Sequence, residues 1–340
     1  MNFVLTPYYN SNTLDQKIWN PQRIKFCEPM NQKKVVITGG AGFIGSNLAD
    51  ELISNNQVTI IDDLTTGTLN NIAKIIANQK VKVVSESILN LQMLKNIFTG
   101  VDVVFHEAAI TSVVQSVRDP VLTNEVNIKG TLNVLIAARD NKVKKVVFAS
   151  SAAVYGDGNT IPINENMITN LQSPYALTKL TGEYYCRLFN DLYGLPTVCL
   201  RYFNVYGPRQ NPNSEYSSVI PSFISRVLND CSPIIYGDGN QTRDFVFIKD
   251  VIQANIIAAE SNATGVFNVG SGNTTTINNL AQKIITILGR KLKPLYKEAR
   301  VGEVRNSLAD LSLVNSIGYT PKYTLEGGLS ETIESIMISK

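Results

Sequence analysis

The sequence predicts an α/β protein: a doubly wound parallel sheet of the Rossmann type, followed by a smaller mixed α/β part. Three observations carry this expectation. A strand turns through glycines into a helix between Lys34 and Leu52. A second strand, Val58 to Asp62, follows and ends on a carboxylate. From there to Arg201, short apolar runs alternate with stretches of helical spacing, the pattern of parallel strands joined by right-handed crossovers.

The first element is the run Val35-Val36-Ile37, β-branched and apolar throughout, which suits a strand buried on both faces. Phe43, Ile44, Leu48 and Leu52 then take helical spacing. Gly39, Gly42 and Gly45 lie between, where a sharp strand-to-helix turn needs positive φ and where a ligand approaches backbone. The helix N-terminus offers free N–H groups and a positive dipole end to a pyrophosphate. Asp62, roughly 20 residues on, can accept both ribose hydroxyls of an adenosine and repels a 2′-phosphate. The pattern therefore points to NAD rather than NADP.

Later elements follow in order. A helix is expected near Leu69 to Asn78, strands at Val81–Val84 and Val101–Phe105, and a helix at Leu89–Phe98. One long helix is expected over Val121–Asn141, then a strand at Val143–Ala149, a helix at Pro174–Tyr193 and a strand at Thr197–Arg201. Beyond Gly207, prolines and asparagines break the chain into shorter pieces. Helices are expected at Ser217–Asn229, Lys249–Ser261, Ile277–Leu288 and Thr324–Ser339, with short strands at Pro233–Tyr236, Asp244–Phe247 and Val266–Asn268. Residues 1–33 read as an extension with a short helix around Leu14–Trp19, 34–206 as the cofactor-binding part, and 207–340 as mainly substrate-binding, with some segments returning to the sheet.

Composition excludes several classes. Hydrophobic content of 44%, charge of 17% and a net charge of +3 over 340 residues are ordinary for a globular protein and give no basic patch for nucleic acid or a membrane surface. No apolar run reaches the ~18 residues that span a bilayer. Cys27, Cys186, Cys199 and Cys231 form no metal-type pair, and with His106 the single histidine, neither a His-rich metal site nor a Ser-His-Asp triad is expected. No metal is expected, and a reducing, cytoplasmic setting fits.

The chemistry gathers on two segments. Ser173-Pro174-Tyr175-Ala176-Leu177-Thr178-Lys179 opens a helix, with Ser173 as cap and Pro174 in the first turn. Tyr175 and Lys179 share a face. An ammonium beside the phenol is expected to lower its pKa and make it a general base. Ser150 and Ser151 end the preceding strand at the ligand crevice, Ser151 placed to share a proton with Tyr175.

Gly39-x-x-Gly42-x-x-Gly45, Ser151, Tyr175-x-x-x-Lys179 and Leu200-Arg201-Tyr202-Phe203-Asn204-Val205 together resemble the extended short-chain dehydrogenase/reductase family, in particular its NAD-dependent UDP-sugar 4-epimerases. The resemblance implies that Tyr175, Lys179 and Ser151 are catalytic. Tyr175 would take the sugar 4-hydroxyl proton while the C4 hydride passes to NAD, and a flat 4-keto sugar would turn over and take the hydride back on its other face. It implies cofactor contacts from Gly39, Gly42, Phe43, Ile44, Gly45, Asp62, Ile88, Ala108, Ala109, Asn127, Ser150, Tyr175, Lys179 and Tyr202. Substrate contacts would come from Ser112, Ser151, Asn204, Val219, Ile220, Tyr236, Arg243, Arg300, Glu303 and Ser307, with Arg305 in reserve for phosphate. Glu303 and Ser87 stand where the family more often has aspartates. A small residue at 307 resembles enzymes that admit an N-acetyl group, so UDP-GlcNAc/UDP-GalNAc is expected, with UDP-Glc/UDP-Gal also accepted. Ala152-Ala153 lacks the acids that family dehydratases carry there. A UDP-glucuronate epimerase, or a non-catalytic NAD-binding scaffold, is the alternative. Helices 121–141 and 174–193 carry apolar surface beyond what one sheet face covers (Tyr184, Tyr185, Leu188, Phe189 and Leu192 on the second), and the resemblance implies a homodimer through them.

Overall fold

A computed structural model of the chain describes residues 30–158, 160–211, 218–299 and 304–338. The helix expected around Leu14–Trp19 lies outside them.

Six strands alternate with helices in the first part: β1 (Lys34–Thr38), β2 (Gln57–Ile61), β3 (Val81–Val84), β4 (Val103–His106), β5 (Lys145–Ser151) and β6 (Thr197–Tyr202). Short strands follow, β7 (Asn204–Tyr206), β8 (Ile234–Tyr236), β9 (Thr242–Arg243) and β10 (Phe245–Phe247), and then β11 (Gly265–Val269). The main sheet has seven strands in the order β11-β6-β5-β4-β1-β2-β3, every pairing parallel. Both faces are covered. Val35 and Ile37 point into one apolar cluster and Val36 into the other. That is why the strand reads as a continuous apolar run. Connections run to opposite sides from β1 and β4, and the crevice opens at that switch point, beyond the strands' carboxyl ends.

The helices are α1 (Phe43–Leu52), α2 (Leu91–Ile97), α3 (Val113–Arg118), α4 (Pro120–Asn124), α5 (Gly130–Asp140), α6 (Pro174–Tyr193), α7 (Val219–Leu228), α8 (Ile248–Glu260), α9 (Ile277–Ile287), α10 (Ser312–Ser316) and α11 (Leu325–Ile338). Three departures from expectation have local causes. The stretch 69–78 forms only a 3₁₀ turn over Leu69–Ile72. Its asparagines bond to backbone instead of extending a helix, Asn71 reaching the Ala41 carbonyl at 2.9 Å. The helix expected over 121–141 is divided: one π turn, Glu125–Lys129, separates α4 from α5. And α3 was not anticipated, although Ser112 caps it by accepting from Gln115 N–H at 3.1 Å.

The helix α6 forms as its sequence dictates. Ser173 Oγ accepts from Ala176 N–H at 3.1 Å, Pro174 sits in the first turn, and Gly194 ends the helix in a left-handed conformation with φ 67°. It lies close on β5 because Gly182 leaves room for the Phe148 ring, which any Cβ would strike. This contact sets how far Lys179 reaches. Tyr184, Leu188 and Leu192 stand exposed on the outer face of α6, as do Val117 of α3 and Val121 of α4. Phe189 and Tyr185 turn inward instead, against the sheet cluster.

Candidate active site

The glycine turn is built by contact. Gly39 has φ 69°, and a Cβ there would stand 2.7 Å from the Ala108 nitrogen. A Cβ on Gly45 would collide with the Gly39 carbonyl. Gly42 is different: its one close neighbour would be the Gly39 oxygen at 3.1 Å, so internal packing alone does not demand glycine. It is the N-cap of α1, no side chain caps that end, and the first-turn N–H groups face the crevice. Asp62 stands just past β2. Its Oδ2 accepts from Ala41 N–H and its Oδ1 from Leu64 N–H, each at 2.9 Å. Burial pushes its carboxyl above the usual aspartate value, against those two N–H groups.

On the facing wall, Tyr175, Lys179, Ser150 and Ser151 line the same crevice. Tyr175 is hydrogen-bonded to Ser151, whose Oγ also accepts from Ala153 N–H at 3.1 Å. Lys179 Nζ donates to the Ala149 carbonyl at 2.7 Å and lies 5.9 Å from the Tyr175 ring centroid. The phenol is shifted opposite to the expected acidification. Burial pushes Tyr175 up, the Ser151 hydrogen bond only partly opposes this, and the Glu107 charge adds to the rise. The ammonium is spent on the Ala149 carbonyl rather than on the phenol. Burial also lowers Lys179 itself to about 8, against the charge of Glu107.

His106 is structural. Its Nδ1 meets Thr38 Oγ1 at 2.7 Å and its Nε2 meets Thr131 Oγ1 at 2.9 Å, tying β4 to β1 and α5. Burial, then the Lys179 charge, lowers it to about 3, so it is neutral at physiological pH.

Of the remaining expected residues, Phe43, Ile44, Ile88, Ala108, Ala109, Ser112, Tyr202, Asn204, Arg243 and Ser307 line the crevice, as does Ser87. Four do not. Asn127, carried inward by the π turn, has its amide consumed by Ile110 N–H and C=O at 2.8 and 3.0 Å and by Thr178 Oγ1 at 3.0 Å. It anchors the crevice wall from behind. Ile220 packs in the core at the start of α7, with Val219 half-buried against it, while Ser218 faces the crevice. Tyr236 lies in β8, paired with a strand over Leu295–Lys297. Arg300 and Glu303 lie outside the described residues. Arg305 is held off the crevice in a two-pronged pair with Asp238, at 2.8 and 2.9 Å.

Glu107 and Arg209 also line the crevice, although neither was among the expected site residues. Glu107 follows directly on β4, and its place at a strand's carboxyl end was the available signal. Arg209, with φ 70°, donates to the Ser46 carbonyl at 2.9 Å and pairs with Asp50, tying α1 to the loop after β7. Among the described residues there is no cluster of three or more potential metal ligands, and no helix is long and apolar enough to cross a membrane.

The crevice measures about 1820 Å³. A pocket for a single small ligand measures roughly 300–1,000 Å³, so this crevice has room for two. Comparison with known proteins agrees. A putative UDP-glucose 4-epimerase of Methanocaldococcus jannaschii is 43% identical over 302 residues, covering 88% of this chain and 97% of that one. The structure of a UDP-N-acetylglucosamine 4-epimerase from Methanobrevibacter ruminantium, in complex with UDP-N-acetylmuramic acid, superposes with a TM-score of 0.89 at 42% identity, covering 91% of this chain and 100% of that one. A UDP-glucose 4-epimerase of Thermus thermophilus, solved with NAD, gives a TM-score of 0.82 at 33% identity, covering 89% and 99%. The family model described as NAD dependent epimerase/dehydratase matches residues 35–270. That span runs through all seven strands of the main sheet and both walls of the crevice, and the chain belongs to this family.

Proposed function

We propose that the protein interconverts the C4 epimers of a UDP-hexose, UDP-GlcNAc and UDP-GalNAc foremost, with UDP-Glc and UDP-Gal also accepted. The observation that carries this reading is the convergence of Tyr175, Ser151 and Lys179 on the crevice that also holds the uncapped glycine turn and Asp62. The residues present fit NAD. Gly42 leaves a cradle that a Cβ would fill, the open N–H groups of α1 suit a pyrophosphate, and Asp62 suits a free 2′-hydroxyl. Phe43, Ile44, Ile88, Ala108, Ala109, Ser150 and Tyr202 complete that wall, with 34–206 as the cofactor-binding part and 207–340 mainly the substrate-binding part. NAD, when bound, supplies a reversible acceptor for the hydride of the sugar C4.

The chain's own residues do the rest. Tyr175 takes the 4-hydroxyl proton and later returns it, and Ser151 orients the hydroxyl through its bond to the phenol. Lys179 supplies positive charge behind both. Arg243 and Asn204 face the diphosphate. Small side chains at Ala152, Ala153 and Ser307 leave the sugar end room to turn, while the carboxylates needed for 4,6-dehydration are lacking at 152 and 153. The relative solved with UDP-N-acetylmuramic acid supports an N-acetylated substrate.

The substrate reading is tested by assaying the four UDP-sugars side by side, parent against Ser307→Tyr. Ser307 is buried in the crevice wall. A tyrosine there is expected to cost UDP-GlcNAc on the order of 100-fold in kcat/KM and to spare UDP-Glc. Equal losses on both sugars would remove residue 307 from the specificity argument.

We also read the exposed stripe of α6 with α3 and α4 as the face of a homodimer in the cytoplasm. The exposed large side chains and the thiols Cys186, Cys199 and Cys231, all free, support this. Leu192→Arg is expected to give a monomer in sedimentation analysis; an unchanged mass would place the interface elsewhere.

A further inference from the structure

Asp244 lies between β9 and β10, fully buried, next to the crevice-lining Arg243. Its Oδ1 accepts from Ser271 N–H and from Ser271 Oγ, each at 2.7 Å, and its Oδ2 from Gly272 N–H and Ala309 N–H, each at 3.1 Å. Its backbone carbonyl accepts from Asn204 N–H at 3.0 Å, where β7 runs beside β10. Segments that carry Asn204, Arg243 and Ser307, all lining the crevice, thus meet at one aspartate. The stretch 305–309 belongs to no helix or strand, so partners distant in sequence must hold it. Thr242 N–H donates to the Arg305 carbonyl at 3.0 Å, Ile163 N–H donates to the Leu308 carbonyl at 2.8 Å, and Asp244 takes the Ala309 N–H. The approach is close: a Cβ on Gly270 would stand 2.7 Å from both Asp244 Oδ2 and the Ala309 Cβ.

We propose that Asp244 is a positioning residue for sugar discrimination: by holding Ala309 it fixes where Ser307 stands relative to Arg243. The proposal rests on the UDP-sugar reading, with Ser307 beside the C2 substituent. A buried carboxylate is tolerated only where hydrogen bonds satisfy it, and these do. What they give the site is rigidity. A wall of irregular chain is defined by its fixed supports, and a shift of about 1 Å in such a support is enough to be felt at the ligand. An N-acetyl group at C2 depends on that wall more than a hydroxyl does. Asp244 itself touches no substrate and exchanges no proton with it.

The test compares kcat/KM for UDP-GlcNAc and UDP-Glc in variants of the NAD-loaded protein. Asp244→Asn keeps the size, but its amide NH₂ meets N–H donors whichever way it turns. Gly270→Ala keeps the carboxylate and wedges Ala309 away from it. Ser271→Ala removes one hydroxyl from the other oxygen and leaves Ala309 tied. Asp244→Asn and Gly270→Ala are expected to lose roughly tenfold more on UDP-GlcNAc than on UDP-Glc, the lower end of what a pocket contact discriminates. Ser271→Ala is expected to keep the parent's ratio. Equal losses on both sugars, the mark of general destabilisation, overturn the proposal, and so does an equal change of ratio in Ser271→Ala. Should Asp244→Asn not fold, Gly270→Ala decides alone. Hydrogen exchange needs no turnover: residues 305–309 are expected to exchange faster in Asp244→Asn and Gly270→Ala, with α6 unchanged. A protein that epimerises no UDP-hexose but shows this would refute the substrate reading and leave the tether standing; exchange as slow as the parent's overturns the proposal.

Discussion

Tyr175→Phe is expected to cut epimerisation by roughly 100- to 10,000-fold, the usual contribution of a positioned acid–base group, while the protein stays folded and keeps its NAD. The ring is buried between α6 and the crevice, and removing one hydroxyl changes neither its packing nor the contact with the Lys179 side chain. Ser151 loses a partner but still accepts from Ala153 N–H. The loss should therefore appear in kcat with little change in KM, the mark of an interaction made in the transition state. Cofactor content after denaturation and turnover on the same sample separate the two effects. Turnover within tenfold of the parent would mean that the phenol is not the base. Burial, and then the Glu107 charge, hold the phenol above its ordinary value. Loss of the proton is thus favoured by rising pH, and kcat/KM of the parent is expected to climb from acid pH through neutrality.

Glu183→Ala is expected to cost about 3–5 kcal/mol of stability, read from the urea midpoint. Glu183 lies one turn beyond Lys179 on α6. Its Oε1 accepts from Ser150 Oγ at 2.5 Å and from Arg201 Nε at 2.9 Å, and its Oε2 accepts from Arg201 Nη2 at 2.7 Å. Both charged side chains are nearly inaccessible, at 5 and 6%. The Arg201 guanidinium also lies 4.7 Å from the Tyr155 ring centroid. Truncating Glu183 strands a guanidinium between α6 and β6, and breaking a buried pair costs far more than the pair contributes. It also frees Ser150, next to Ser151, so a fall in kcat should accompany the loss. The exposed pair Lys144–Asp102, with the lysine 73% accessible, is the control: Lys144→Ala should cost less than about 1 kcal/mol. A loss of that small size for Glu183→Ala would contradict the account.

The parts of this molecule that were legible in its sequence are those where local chemistry and tertiary context agree. The glycine turn marks where α1 begins, α6 carries its own start and stop signals, and the core strands are apolar on both faces because helices cover both. Expectation failed where side chains chose partners distant in sequence. Asn71 prefers the Ala41 carbonyl to a helix, and the π turn exists to deliver Asn127 to Ile110. Val219 and Ile220 were assigned to the site by likeness, yet the amphipathic period of α7 turns Ile220 into the core. The acidity of Tyr175 failed for an electrostatic reason. Spacing put Lys179 on the right face of α6, but not the Ala149 carbonyl that takes its ammonium, nor Glu107, which the end of β4 brings to the same crevice.

In the proposed reaction one carbon gives up its hydride and receives the same hydride back on its other face. Incubating the NAD-loaded protein with UDP-GlcNAc deuterated at C4, and reading the product by NMR, tests it most directly. UDP-GalNAc with the deuterium still on C4 is expected, in ordinary water. Deuterium lost to solvent during conversion, or no conversion of any C4-labelled UDP-hexose, would contradict it.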